Sequence, residues 1–401
     1  MRNFVWIACL FYCLNGFGHI ILGTILEPLV NYYGIDYGAG GQLIMNQFLG
    51  FLVGVLLAPA IIKSLGRKMT VILALLSFAT SQLILGILPD WHILLYTVPL
   101  SGAGIGILET VVAALIIAHL KEKKATTLVL TEVFFGVGAL LIPVISAFFI
   151  MTGKWNGSFF VVMMVTLLAV CLWVFLPFGE LEDILKKQPK KVYDDGMQPH
   201  RQKYSRKQMP IMIVGAAFFF MYVGTEMVLP NYLPTILGKT TTLGDSALAI
   251  SITVFWASMT IGRLCMTFII DRIGYSKLFV ICCFGQLFSF GLFAVSPNVY
   301  VSFAAIFLSG LLMGGIFSIA LLIVNESSIG LEEWTTSLLV AMGGLGGALL
   351  PKVTGELIDR YTIGVTLWTL VLWAALLVGL MGLIFYFRKK ERSIPEIESP
   401  K

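Results

Sequence analysis

Residues 46–68, NQFLGFLVGVLLAPAIIKSLGRK, and residues 254–277, VFWASMTIGRLCMTFIIDRIGYSK, stand 208 positions apart and read alike. Each is an apolar run broken by glycine that closes on a short turn with basic residues. About 20 apolar residues cross a bilayer as a helix, so each stretch reads as a membrane helix followed by a basic loop. The same offset superimposes Gly54 on Gly262, Gly66 on Gly274, Pro89 on Pro297, Ser101-Gly102 on Ser309-Gly310, Gly136 on Gly344, Gly138 on Gly346 and Pro143 on Pro351. One constant offset across corresponding spans marks a parallel repeat of six helices.

Composition fixes the environment. Of 401 residues, 58% are hydrophobic and 12% charged, against roughly 25% charged in a soluble domain, and the mean hydropathy is +0.92. A soluble protein is excluded. An outer-membrane barrel is excluded too, because the apolar runs are continuous and do not alternate with period two. The 40 glycines suit closely packed membrane helices. Cys9, Cys13, Cys171, Cys265, Cys282 and Cys283 all fall in apolar runs without metal-ligand spacing, so neither a disulfide nor a metal site is expected. No nucleotide-cradling glycine motif is present, which argues against ATP-driven transport. No enzymatic activity and no cofactor are expected.

Apolar runs place twelve spans at about 4–30, 41–63, 69–88, 93–119, 127–150, 158–178, 209–237, 246–270, 276–295, 299–325, 335–351 and 364–387. The expected fold is all-α, with two pseudo-symmetric six-helix bundles: residues 1–179 and 208–387, joined by a basic linker at 180–207 and followed by a tail at 388–401. With both termini cytoplasmic, 22 of the 27 Lys and Arg residues lie on the inner side, which fixes the orientation. Charges sorted by loop in this way also make nucleic acid a poor partner. Arg2 precedes a run too long for a cleavable signal, so a multi-pass, monomeric protein of the cytoplasmic membrane is expected. Parallel repeats of this kind place a substrate near the bilayer midplane and work by rocking one bundle against the other.

An ionisable side chain at membrane depth costs several kcal/mol unless paired or hydrated, so the few that occur are candidates. Glu109 lies midway along the fourth span, behind Gly102, Ala103, Gly104 and Gly106. It reads either as a proton carrier or substrate ligand, or as a protonated, hydrogen-bonding group. Glu226 is followed by Pro230, Asn231 and Pro234, and prolines free backbone carbonyls and bend a helix. It reads as a substrate ligand or as one half of a structural pair. His19, between glycines of the first span, stands evenly between proton coupling and packing. Arg263 needs a carboxylate or water, and Glu109 is one candidate partner. Asn46, Gln47 and Asn231 supply amides, and Trp256 a flat apolar face. Amides and carboxylates with an aromatic face suit a neutral polyhydroxylated substrate, although any one of the amides serves equally as helix glue.

The turns after the second and eighth spans, KSLGRK and DRIGYSK, resemble the loop signature of the major facilitators, with Lys63 where an Asp is expected and Asp271-Arg272 in place before Gly274. The resemblance implies a conformational latch built on Asp271, Arg272, Gly274, Arg67 and Lys68, stronger in the second repeat. The stretches GILETVVAALIIAHL (106–120), EVFFGVGALLIP (132–143), FMYVGTEMVLPNYLP (220–234), VFWASMTIGR (254–263) and GGIFSIALLI (314–323) resemble the fucose–galactose–glucose:proton symporter family, and within it the glucose/mannose members. That resemblance implies proton-coupled import of a neutral hexose. Glu109 then answers to the family's acidic coupling residue, and Gln47, Glu226, Asn231, Trp256 and Arg263 fall on shared polar or aromatic positions, as His19 does on a histidine of the glucose/mannose members. Thr24 occupies the seat of the fucose members' span-one aspartate. Export of amphipathic molecules by proton antiport is the alternative.

Overall fold

A computed structural model describes residues 2–119, 124–179, 182, 185, 208–296, 298–327 and 332–392. The expected linker at 180–207 and the end of the expected tail lie almost wholly outside the described residues.

The first span is helix α1, Arg2–Thr24, continued by α2, Leu26–Tyr33. The interruption has a local cause. Pro28 has no N–H to give to the carbonyl four residues earlier, that of Thr24, and the Thr24 hydroxyl turns back onto Ile20 O at 2.8 Å. Gly34, at φ +60°, closes α2. Helix α3, Tyr37–Ile87, is 51 residues long, more than twice what a bilayer needs. It is two spans in series, because Gly66, at φ +79° and ψ 164°, bends the chain where glycine bears no Cβ penalty. Helices α4 (Trp91–His119), α5 (Lys124–Met151) and α6 (Gly157–Phe175) follow. The second half of the chain supplies α7 (Met209–Thr240), α8 (Asp245–Ile273), α9 (Tyr275–Val295), α10 (Val299–Asn325), α11 (Glu332–Arg360) and α12 (Ile363–Arg392). The twelve spans are therefore all present, and no strand occurs among the described residues.

The offset of 208 reappears as matched contacts. A Cβ on Gly54 would stand 2.4 Å from Ala103 O, and one on Gly262 would stand 2.1 Å from Leu311 O. Ser81 donates to Thr97 O at 3.1 Å, and Ser289 to Ala305 O at 2.6 Å. Gly274 repeats the positive φ of Gly66, at +84°. Small residues that admit a neighbouring backbone are what holds membrane helices together when burial from water cannot.

The described residues gather into two compact units. The first lies within residues 1–195, 227–257 and 351–363, the second within 196–226, 258–350 and 364–401. In the first, α3 packs along α4, and α1 along α5; in the second, α9 packs along α10.

Candidate functional site

In the first unit, Glu109 projects from α4 toward α1, where Asn15 Nδ2 donates to Glu109 Oε2 at 3.3 Å. The small residues before it do what their size permits. A Cβ on Gly102 would lie 1.9 Å from Gln47 O and one on Gly106 2.4 Å from Phe51 O, so α3 and α4 touch backbone to backbone. That closeness lets Gln47 reach two helices at once, donating to Gly18 O at 2.8 Å and to Ser101 Oγ at 3.3 Å. Asn46 accepts from Gln42 Nε2 at 2.8 Å and donates to Leu95 O at 3.0 Å.

His19, one turn beyond Asn15 on α1, is ringed by Phe48, Phe51 and Phe135, with centroids at 5.5, 5.3 and 5.8 Å. Phe135 in turn meets Trp256 edge-on at 5.8 Å. The first unit thus holds a continuous aromatic wall from α1 through α3 and α5 to α8, with His19 as its polar member. Asn231 spends its amide on Met227 O, at 2.7 Å in its own helix. It sits where α7 crosses α1 closely: a Cβ on Gly23 would lie 2.6 Å from Asn231 Cα.

The second unit carries a different group. Glu226, 6% exposed, has Oε1 3.9 Å from Arg263 Nη2, and the same guanidinium lies 3.6 Å from Met259 Sδ. Tyr222, one turn before Glu226, lies beside the carboxylate and donates to Met313 O at 2.8 Å. The sequence suggested Glu109 as one partner for Arg263; the partner in the structure is Glu226, four residues after Tyr222 in the same MYVGTE stretch.

Elsewhere the structure adds polar contacts at the helix ends that apolar runs do not reveal. Asp359, near the end of α11, accepts from the backbone N–H of Tyr37 at 2.9 Å and from that of Gly38, capping the start of α3 where the free donors of a helix point outward. Lys352 donates to Gly38 O at 2.8 Å and pairs with Glu356 at 3.3 Å. Glu27 accepts from Tyr37 Oη at 2.7 Å and from Thr235 Oγ1 at 3.0 Å. Arg388 of α12 pairs with Glu326 and receives the Tyr275 hydroxyl at 2.8 Å and Ser276 Oγ at 3.3 Å as acceptors.

That last cluster falls inside the DRIGYSK turn. Of the expected latch residues, Arg272 is exposed, and the side chain of Asp271 lies outside the described residues. Among the described side chains of this turn, Tyr275 and Ser276, one position past Gly274 and beyond, make polar contacts with Arg388. In the first repeat, Lys68 Nζ reaches Val174 O at 3.4 Å and Lys68 O accepts from Trp173 Nε1 at 3.2 Å, tying α3 to α6. Arg67 is half-buried beside the Gly66 bend. Among the described residues, no group of three or more His, Cys, Asp or Glu side chains is placed to hold a metal ion.

Comparison with known proteins gives the same architecture. A family model described as Major Facilitator Superfamily matches residues 8–330. The glucose/mannose transporter GlcP of Bacillus subtilis (strain 168) is 28% identical over 370 residues, covering 92% of both chains. Among solved structures, a D-xylose-proton symporter superposes with a TM-score of 0.78 at 13% identity, covering 95% of this chain and 97% of the other. The nucleoside transporter NupG gives 0.70 at 14%, covering 98% and 99%.

Proposed function

The chain belongs to the Major Facilitator Superfamily, a family of transporters, and from that premise we propose that it imports a neutral hexose, glucose- or mannose-like, together with a proton. The observation that carries the reading is the Glu109–Asn15 pair. A carboxyl group at membrane depth bonded to a neutral amide can take up and lose its charge without stranding a second ion. The name of the Bacillus subtilis relative supports the substrate class.

In the proposed cycle, protonated Glu109 permits loading of sugar from outside. The aromatic face at Trp256 stacks on the C–H side of the ring, and Asn46, Gln47, Asn231 and Glu226 are assigned to its hydroxyls. After the change of access, the proton leaves Glu109 to the inside, with Arg263 and His19 as the further coupling groups. The empty carrier returns, while the form loaded with a proton alone does not. Two six-helix bundles, 1–179 and 208–387, are the proposed moving parts, with both termini cytoplasmic. The turns at Arg67-Lys68 and at Asp271, Arg272 and Gly274 are the proposed latch.

The test uses purified protein in liposomes. Glu109→Gln is expected to keep sugar counterflow while losing both accumulation driven by an inward proton gradient and the accompanying alkalinisation of the medium. A variant that still concentrates glucose under a proton gradient overturns the assignment. If the unmodified protein moves substrate outward as protons enter, it is an antiporter and the import reading falls.

A further inference from the structure

We propose that Asn15 is the positioning residue for the proton on Glu109. Its amide closes a two-point ring with the protonated carboxyl group and keeps a single bond when the proton leaves. This inference rests on the reading of Glu109 as the proton carrier.

Three observations support it. Asn15 is 1% exposed in the middle of α1. Its Nδ2 donates to Glu109 Oε2 at 3.3 Å. Its Oδ1 is buried and has no hydrogen-bond partner. An amide offers two donors and an acceptor side by side, and a buried acceptor left empty is costly. An ionised carboxylate has nothing to give that oxygen. A carboxylic acid has: with the proton on Oε1, the O–H donates to Asn15 Oδ1 while Nδ2–H continues to donate to Oε2. When the proton departs to water, the O–H bond goes with it and Oδ1 is orphaned again.

An N–H···O hydrogen bond is normally about 2.7–3.2 Å long. At 3.3 Å, the donor side gives the carboxylate little, whereas the empty acceptor is satisfied only by the acid. The other ionisable side chains that act on Glu109 are Tyr12 of α1 and Glu132 of α5. Cys13 and His19 follow on α1, and α3, which meets α4 through Phe51 and Val55 at Gly106, has no ionisable side chain between Tyr37 and Lys63. These groups are common to the unmodified chain and to a variant at position 15, so their influence cancels in a comparison of the two.

Infrared difference spectra between acid and alkaline buffer, taken on the purified full chain in liposomes, test the proposal without needing a substrate. The protonated-carboxyl band of Glu109 is the one that disappears in Glu109→Gln. In the unmodified chain it is expected at the frequency of a hydrogen-bonded acid. In Asn15→Leu it is expected to move to that of a free acid. If no band is lost in Glu109→Gln, the Glu109 assignment fails and the inference with it. If the band belongs to Glu109 but keeps its hydrogen-bonded frequency in Asn15→Leu, the role of Asn15 alone is overturned. Should Asn15→Leu not fold, a free-acid frequency in the unmodified chain overturns the same role, and a hydrogen-bonded one supports it.

Discussion

The two repeats share a frame and differ in the chemistry mounted on it. The offset of 208 that pairs Gly54 with Gly262 also pairs Glu109 with Phe317 and Val55 with Arg263. In the first helix of each repeat the offset is 207: Gly138 packs against Cys13 O, and Gly346 against Phe220 O. Asn15 then pairs with Tyr222, and His19 with Glu226. Where the first repeat joins Asn15 to Glu109, the second sets the Tyr222 ring 6.4 Å from Phe317. Where the first rings His19 with phenylalanines, the second faces Glu226 with Arg263. Each repeat thus sets an acid among its helices, Glu109 and Glu226, but on different helices and with a neutral partner in one case and a cationic one in the other. A carboxylate beside an amide can lose its charge alone. One beside a guanidinium cannot, since neutralising it strands a cation.

The largest effect on stability should come from breaking the second pair. Removing one member of a fully buried ion pair costs about 3–5 kcal/mol. Here the side chain of Arg263 is 39% exposed at a separation of 3.9 Å, so solvent screening lowers the figure and about 2 kcal/mol is expected for Arg263→Gln, which leaves Glu226 buried without its cation. Arg263→Gln combined with Glu226→Gln should recover most of the loss, to within about 1 kcal/mol of the unmodified protein. Thermal unfolding of the purified proteins measures both. If the single and double variants unfold together, the pair has no energetic meaning and the contrast with Glu109 collapses. Glu109→Gln, whose partner is neutral, should lose less than Arg263→Gln.

Much of this is legible in the sequence, for reasons that have physical limits. Apolar runs, glycine positions and a constant offset are properties of single residues and their spacing, and they deliver the spans and the repeat. The same holds for Glu109, Glu226 and Arg263, which stand out because charge is rare in lipid. Partnership is not a property of spacing. Arg263 lies 37 positions from Glu226, and only the crossing of α7 and α8 joins them. Asn15 escapes such a reading because spacing does not tell the amide that meets Glu109 from the other amides of the spans. The DRIGYSK turn is recognisable as a polar junction, yet its contacts run from Tyr275 and Ser276 to Arg388, 112 residues beyond Ser276. The division of the first span at Ile25 is within reach of sequence through Pro28, since the missing N–H removes the bond to Thr24 O.

The shared frame predicts equal vulnerability at matched glycines. Gly54→Ala and Gly262→Ala each push a methyl group into a carbonyl oxygen of the facing helix, 2.4 and 2.1 Å away. The neighbour is backbone, so the helices must separate, and overpacking of this kind costs about 1–3 kcal/mol. Thermal midpoints should fall in both variants, more in Gly262→Ala. A tolerant Gly54 beside an intolerant Gly262 would mean that the two repeats do not pack by the same rule, and the residue-by-residue pairing above would lose its basis.

The smallest expected effect is the finest test of that pairing. Ser81 and Ser289 each donate to a carbonyl of the neighbouring helix, at 3.1 and 2.6 Å, in fully matched positions. Hydrogen bonds between membrane helices average about 0.6 kcal/mol, because the separated helices find other partners in lipid. Ser81→Ala should therefore cost less than about 1 kcal/mol, and Ser289→Ala somewhat more for its shorter bond. Neither should change the ratio of proton-driven uptake to counterflow, since the contact is common to both repeats and the proposed coupling chemistry is not. If Ser289→Ala uncouples transport while Ser81→Ala does not, the two contacts are not equivalent, and the pairing of Ser81 with Ser289 loses its meaning.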